Sequence, residues 1–143
     1  MATTVEPNQV KLLLADDDME ILRIMRKRFS KRGYQLIEAH NGEEALQVAL
    51  AERPNLIVLD VMMPRLNGWE VCKYIRDREA YNDVGVIMLT AIGPKLNELT
   101  SPLYGADEYM DKPFVLDELE DTIKRVLLER ADLEVVAASP TAD

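Results

Sequence analysis

Short apolar runs that alternate with longer amphipathic segments constrain the fold of this chain more than any other sequence feature. The run at 56–59, Leu-Ile-Val-Leu, has no polar position, so a strand formed from it would need an apolar layer on each face. Such strands occur in parallel sheets that carry helices on both sides. Strands are predicted at 10–15, 34–39, 55–60, 84–90 and 106–110.

The segments that follow these runs have the residue spacing of helices. Between 18 and 32, Leu22, Met25 and Phe29 recur on one stripe, and Gly33 follows a basic last turn, as glycine does at helix C-termini. Helices are predicted in this way at 18–32, 43–53, 68–79 and 115–130.

The alternating pattern covers residues 10–130, which we predict to form one domain with one hydrophobic core. Residues 1–9 precede the pattern and are predicted to be disordered. Helical spacing is lost at 131–143, a stretch that ends in Ala, Ser, Pro and Thr. We predict a flexible tail or a truncated linker there.

Composition argues against several classes of function. The formal net charge of −9 should repel polyphosphate, so we expect no direct nucleic-acid binding by this domain. The single cysteine, Cys72, allows no intramolecular disulfide. The first residues lack the basic start and apolar run of a signal peptide, and no apolar stretch approaches the roughly 20 residues that span a bilayer. These features predict a cytoplasmic protein without a membrane segment.

Polar side chains follow four of the predicted strands. The first strand ends at Asp16, Asp17 and Asp18, the third at Asp60 and the fourth at Thr90, and Lys112 follows the fifth. In a parallel sheet all of these ends lie on one side, where ligands bind at the point at which the strand order reverses. We therefore expect the carboxylates, the hydroxyl and the ammonium group to share one cleft.

Crowded carboxylates repel one another unless they are protonated or share a cation. Their oxygens suit Mg²⁺, which takes one or two carboxylates directly and keeps several waters. A metal beside Asp60 would neutralise local charge and stabilise a transferring phosphoryl group, while Lys112 and Thr90 hold its other oxygens. The cleft is therefore predicted to be a phosphoryl-acceptor site with an acidic Mg²⁺ pocket.

Each of these residues also has an ordinary interpretation when it is taken alone. Asp18 is best interpreted as the N-cap of the first helix. Asp16, Asp17 or Asp60 alone would be a turn or capping carboxylate, and Lys112 alone would be a solvated lysine. The conjunction favours a site, because independent turn residues need not fall at the ends of four strands together.

Four segments resemble the receiver domains of two-component response regulators, a family of bacterial-type signalling proteins. They are KLLLADDD at 11–18, LIVLDVMMPRLNG at 56–68, IMLTA at 87–91 and GADEYMDKPF at 105–114. The resemblance covers about residues 9–130. It implies a flavodoxin-like, doubly wound α/β fold: a five-stranded parallel sheet in the order 2-1-3-4-5 with five flanking helices. Every chemical residue of the family is present, which argues against a degenerate receiver.

The resemblance also implies roles for individual residues. Asp60 would be phosphorylated by a histidine kinase or a phosphotransfer protein. Mg²⁺ would be bound by the side chains of Asp17 and Asp60, by the backbone carbonyl of Met62 and, through water, by Asp16. Lys112 and Thr90 would contact the phosphoryl group, and the bond between Lys112 and Pro113 would be cis.

Thr90 and Tyr109 match the switch pair of the family. On phosphorylation the hydroxyl would move toward the new charge and the aromatic ring would turn inward. The surface formed by the fourth helix, the fifth strand and the fifth helix would change as a result, and so control a downstream protein or an output domain. The ordinary alternative for Tyr109 is packing at the edge of the sheet.

Three features depart from the family pattern. Gly85 lies where many relatives have proline. The family's fourth helix, which belongs to the signalling surface, corresponds to residues 93–102 here, where Pro102 would break an ordinary helix, so we expect a short, distorted or mobile helix. Thr122 lies where the winged-helix transcription-factor branch usually has an arginine that pairs across its dimer. This lowers, without excluding, the expectation of a phosphorylation-dependent homodimer.

The residues two positions beyond Asp60 and Thr90 are Met62 and Ile92. In the family, these positions flank the path of the water that hydrolyses the acyl phosphate. Both residues are apolar here and cannot orient that water by hydrogen bonding. We therefore predict a long-lived phosphorylated form.

Two other classes of function compete with a signalling switch. Phosphatases and phosphotransferases with a nucleophilic aspartate usually have a second acidic residue two positions later, where this chain has Met62. A small flavin-binding electron carrier would need a phosphate-cradling loop after the first strand, where the carboxylates at 16–18 would repel a phosphate. The sequence leaves open whether the output is DNA binding, enzymatic or scaffolding.

Overall fold

A five-stranded parallel sheet forms the centre of the protein in a computed structural model, which describes residues 1–91 and 105–137. The strands along the chain are β1 Thr3–Val5, β2 Lys11–Ala15, β3 Gln35–Ala39, β4 Leu56–Asp60, β5 Gly85–Thr90, β6 Glu108–Asp111 and β7 Leu133–Val135. The sheet has the order β3-β2-β4-β5-β6, and all its pairs are parallel. Counted within the sheet, this is the predicted order 2-1-3-4-5, which is confirmed.

Four α-helices lie in the described part of the chain: α1 Met19–Arg32, α2 Gly42–Glu52, α3 Gly68–Arg76 and α4 Leu116–Ala131. The predicted cap of the first helix is confirmed, since the Asp18 carboxylate accepts the N–H of Glu20 at 2.9 Å. The helix predicted at 93–102, with its interruption at Pro102, lies outside the described residues. None of the helices in residues 1–91 and 105–137 has the length and hydropathy needed to cross a bilayer.

The central strands bury side chains on both faces, as their uniform hydrophobicity predicts. Leu56 and Val58 pack with residues of α1 and α4, whereas Ile57 and Leu59 pack with residues of α2 and α3. Fully burying a side chain of this size contributes roughly 1.5–3 kcal/mol. The two apolar layers therefore fix the register of the sheet and the position of its carboxyl edge.

Gly85 begins β5 where α4 crosses the sheet closely. A Cβ at this position would lie 2.7 Å from Cγ1 of Val126 and 3.1 Å from Cδ1 of Leu56. Glycine within a strand marks such a close approach of a neighbouring element. The departure from the family pattern at residue 85 therefore has a packing cause, the proximity of α4.

Both ends of the described chain contain regular structure that the sequence did not predict. β1 pairs in parallel with β7, and Val5, Leu133 and Val135 pack against the core between α1 and α4. Disorder is predicted for residues 1–9 and flexibility for 131–143, but the described part of each segment contains a strand instead. Three-residue strands are too short for a periodic pattern, and their pairing joins residues far apart in sequence.

We expect Val5→Ala to lower the free energy of unfolding by about 1 kcal/mol, because Val5 packs on the core and valine has more apolar area to bury than alanine. Thr4→Ala is the matched control, since Thr4 is an exposed residue of the same strand. Urea unfolding of the full chain measures both. Equal losses for the two variants would show that the terminal strand contributes no core packing.

Candidate functional site

The carboxyl ends of β2, β4, β5 and β6 bring the predicted site residues to one edge of the sheet. Asp60 and Thr90 are the last residues of β4 and β5, whereas Asp16 and Lys112 directly follow β2 and β6. The chain runs from β2 outward to β3 and then returns to β4 on the other side of β2. The site therefore lies at the reversal of strand order, where doubly wound sheets bind ligands.

Asp16, Asp17 and Asp60 form a compact group of carboxylates. One oxygen of each lies within 4.8 Å of the corresponding oxygens of the other two. Asp16 is fully buried and Asp60 is 4% exposed, while Asp17 is exposed at the mouth of the group. Three hard oxygen donors that converge in this way, one of them open to solvent, fit the ligand chemistry of Mg²⁺.

Lys112 extends its ammonium group between the two buried carboxylates. Its Nζ lies 2.9 Å from Oδ2 of Asp16 and 3.2 Å from Oδ1 of Asp60. The backbone N–H of Lys112 donates to the carbonyl of Thr90 at 2.8 Å, which ties this segment to β5. The bond between Lys112 and Pro113 is cis, as the family resemblance implied.

The negative charge of the buried carboxylates is not fully balanced by the positive charge of Lys112. Burial, and then the nearby charge of Asp16, raise the pKa of Asp60 to about 6, although Lys112 acts in the opposite direction. Burial lowers the pKa of Lys112, but its hydrogen bond to Asp16 and the charges of Asp16 and Asp60 outweigh burial and leave that pKa raised. One ammonium group does not offset the buried carboxylates, so a further cation would stabilise their ionised form.

The loop after β4 holds Asp60 against the start of α3. The N–H of Gly68 donates to the carbonyl of Val61 at 2.8 Å, and a Cβ at Gly68 would lie 2.6 Å from the carbonyl oxygen of Asp60. Only glycine allows this close approach. Met62 lies in the same loop with its backbone N–H 3.4 Å from Oδ1 of Asp60, and its side chain is 62% exposed.

The two predicted switch residues lie on neighbouring strands. Thr90 is fully buried, and Tyr109 pairs with Met88, two residues before Thr90 along β5. The Tyr109 ring packs against the core between the sheet and α3, and its hydroxyl is buried without a hydrogen-bond partner among the described residues. The ring thus already points inward, a position that the resemblance assigned to the phosphorylated state.

Sequence reasoning missed a buried ion-pair network that positions β6. Arg76 donates to the carbonyls of Gly105 and Val84 at 2.8 and 2.7 Å and pairs with Asp107 at 2.9 Å. Asp107 also accepts the N–H of Val86 at 2.8 Å and pairs with Arg130. The network joins α3, β5, α4 and the start of β6, the strand that leads to Lys112. The available signal was an aspartate, Asp107, at the start of the fifth predicted strand.

Comparisons with known proteins agree with this geometry. A family model described as the response regulator receiver domain matches residues 12–124. The chain belongs to the response regulator receiver domain family.

The sequence of this receiver domain is 43% identical over 137 residues to a probable transcriptional regulator, ycf27, of Cyanophora paradoxa, covering 96% of this chain and 56% of that protein. It spans about half the length of the curated relatives it matches.

Solved receiver structures have the same fold as this receiver domain. The Francisella response regulator 1452 receiver domain has a TM-score of 0.76 and 34% identity, covering 85% of this chain and 98% of that one. The response regulator protein TrrA from Thermotoga maritima, in complex with Mg²⁺-BeF, has a TM-score of 0.72 and 35% identity, covering 82% and 99% of the two chains. Fold and family therefore agree.

In metal-free buffer, Asp60→Asn should raise the free energy of unfolding at pH 8, by an amount on the order of 1–3 kcal/mol, and much less at pH 4. The pKa of folded Asp60, about 6, lies above its ordinary value of 3.8. Ionisation of Asp60 therefore lowers the free energy of unfolding by its full amount above about pH 6. This loss disappears as the pH falls toward 3.8.

Urea unfolding with a chelator at pH 4, 6 and 8 measures this dependence. Asp18→Asn is the control, because asparagine caps a helix as well as aspartate and Asp18 lies exposed outside the buried pair. A gain for Asp60→Asn that is the same at pH 4 and pH 8 would contradict the assigned electrostatics.

Proposed function

We propose that Asp60 accepts a phosphoryl group from a histidine kinase or a phosphotransfer protein in a Mg²⁺-dependent reaction. The observation that supports this most is the position of Lys112, whose ammonium group lies 3.2 Å from Asp60 within the group of three carboxylates. A nucleophilic oxygen, a fixed cation and a set of metal ligands are the parts that phosphoryl transfer requires.

In the proposed step, a carboxylate oxygen of Asp60 forms a bond to phosphorus as the bond between phosphorus and the donor's imidazole nitrogen breaks. The imidazole leaves with the electron pair of that bond and is protonated. Lys112 neutralises an oxygen of the transferred group, and Thr90 donates its hydroxyl to another. The domain acts in this way as a signalling switch that catalyses only its own phosphorylation and dephosphorylation.

The residues present fit a magnesium ion. Asp17 and Asp60 would bind it through their side chains, Met62 through its backbone carbonyl and Asp16 through water. When bound, Mg²⁺ supplies charge neutralisation for the carboxylates and for the phosphoryl oxygens. The response regulator protein TrrA, a structural relative, was solved in complex with Mg²⁺-BeF, and that complex supports a magnesium site in this chain as well.

The response to phosphorylation would spread from Thr90 to Tyr109 and then to the surface that the family forms from its fourth helix, fifth strand and fifth helix, of which β6 and α4 are described here. This surface would control a downstream protein or an output domain, in the cytoplasm and without direct nucleic-acid binding by this domain. On that surface Arg125 pairs with Glu108 at 3.1 Å within one chain, and Thr122 is buried. A phosphorylation-dependent homodimer would have to use these residues in place of an arginine at 122.

Incubation of the full chain with acetyl phosphate and Mg²⁺ should add one phosphoryl group, detected by intact mass spectrometry. Asp60→Asn removes the nucleophile and should abolish the gain. Asp17→Asn removes a metal ligand and should slow phosphorylation at low Mg²⁺, whereas Asp18→Asn, the neighbouring helix cap, should react like the wild type. A mass gain that persists in Asp60→Asn would refute the assignment of the acceptor.

The acyl phosphate should be long-lived, and Met62→Asn should shorten its lifetime. An asparagine amide can orient the hydrolytic water, and a hydrogen bond worth about 1.4 kcal/mol corresponds to roughly tenfold in rate. Met62→Leu is the control, because leucine is similar in size and cannot donate a hydrogen bond. Phosphate release from purified phosphoprotein gives the decay constants, and equal constants for the three proteins would disprove the prediction. Ile92, its predicted counterpart, lies outside the described residues.

A further inference from the structure

Two consecutive methionines in the loop between β4 and α3 differ sharply in exposure. Met62 is 62% exposed, whereas Met63 is 6% exposed and packs in the core with residues of β4 and α3. A thioether has no proton to lose, so its reactivity toward an oxidant depends mainly on access. The loop therefore presents one accessible sulfur directly beside a shielded one.

Most other sulfur atoms of the chain are shielded as well. Met25 and Met88 are fully buried, and Met110 is partly buried. Cys72 is fully buried, and burial raises the pKa of its thiol to about 12, so it stays in the unreactive protonated form. Besides Met62, the methionines exposed over more than half of their surface are Met1 and Met19. An oxidant in solution would therefore meet few sulfur atoms.

Met62 is the exposed methionine that lies in the loop of the acceptor. Its backbone N–H is 3.4 Å from Oδ1 of Asp60, the same oxygen that lies 3.2 Å from Nζ of Lys112. The unbranched side chain has three rotatable bonds, so it can extend into solvent or fold back toward the carboxylate. Thioether sulfur is only a weak hydrogen-bond acceptor. A strongly polar group on this sulfur would add an acceptor at the mouth of the site.

We infer that Met62 is a peroxide-sensitive modification site, and that its sulfoxide shortens the lifetime of the acyl phosphate on Asp60. The inference rests on the proposed function, since it names a regulation of that site. In the oxidation, a lone pair of the Met62 sulfur attacks one oxygen of hydrogen peroxide and the O–O bond breaks. The departing hydroxide takes up the proton of the transferred oxygen. The thioether is thereby oxidised to a sulfoxide, and the peroxide is reduced to water.

The sulfoxide oxygen would act on hydrolysis through a water molecule. It accepts a hydrogen bond from this water and so orients the water toward phosphorus. In the hydrolytic step the water oxygen bonds to phosphorus as the bond from phosphorus to Asp60 breaks. Asp60 leaves with the electron pair as a carboxylate, and the protons of the water pass to the released phosphate and to solvent. One orienting hydrogen bond corresponds to an acceleration of roughly two- to tenfold.

The test begins with limited hydrogen peroxide treatment of the full chain, followed by removal of the peroxide and peptide mapping by mass spectrometry. Met62 should be converted to the sulfoxide well before Met63. Treated and untreated proteins are then phosphorylated with acetyl phosphate and Mg²⁺, and phosphate release is followed. Treatment should raise the decay constant roughly two- to tenfold. Methionine sulfoxide reductases that act on both epimers should return it to the untreated value.

Two leucine variants assign the effect to one sulfur. Peroxide should leave the decay constant of Met62→Leu unchanged, because leucine has no sulfur. Met19→Leu is the matched control, since Met19 is exposed to a similar extent, and this variant should still respond to peroxide. Oxidation of Met63 as early as Met62 would overturn the inference, and so would a response that persists in Met62→Leu.

The untreated protein separates this inference from the proposed function. A chain that gains no phosphoryl group before peroxide treatment would refute the acceptor assignment, and the inference would fall with it. Normal phosphorylation with equal decay constants before and after oxidation of Met62 would refute the inference alone.

Discussion

The carboxylates of Asp16 and Asp60 are buried beside each other at the carboxyl edge of the sheet, with the single ammonium group of Lys112 between them. Burial disfavours the charge of Asp60, and the neighbouring carboxylate disfavours it further, which is why its pKa rises to about 6. A site with this imbalance gains stability from any added cation. Under the proposed function, the same imbalance would make the site responsive to a metal ion and to the arrival of a phosphoryl group.

The rest of the fold holds these charges at short range against their repulsion. Two apolar layers fix the central strands, Gly68 lets α3 begin directly behind Asp60, and the hydrogen bond from Lys112 to Thr90 ties the lysine to β5. At the opposite edge, Arg76 and Asp107 join β6 to its neighbours. The sheet therefore supports Asp60 rigidly on one side. Thr90 and the inward-pointing ring of Tyr109 lie between the site and the outer surface.

The exposed surfaces of the domain divide by charge and position. Near the site, α1 and the start of α4 form a groove with an apolar floor, which includes Ile24 and Leu116, and a basic wall, which includes Lys27 and Lys31. A cavity at the outer face of β6 and α4 is lined by three acidic residues, Glu108, Glu118 and Asp121, together with Met110, Thr122 and Arg125. The terminal strands β1 and β7 pair beyond the C-terminal ends of α1 and α4, away from the acceptor edge.

The sequence by itself determined the α/β class, the positions of the five sheet strands and of α1 to α4 to within a few residues, and the membership of Asp16, Asp17, Asp60, Thr90 and Lys112 in one edge. These features depend on local periodicity and on the rule that parallel strands end together. Only the tertiary structure decided the pairing of β1 with β7, the close approach of Val126 to Gly85, and the ion pair of Arg76 with Asp107. Each of these joins residues distant in the chain, and such contacts depend on three-dimensional distance, which no local pattern records.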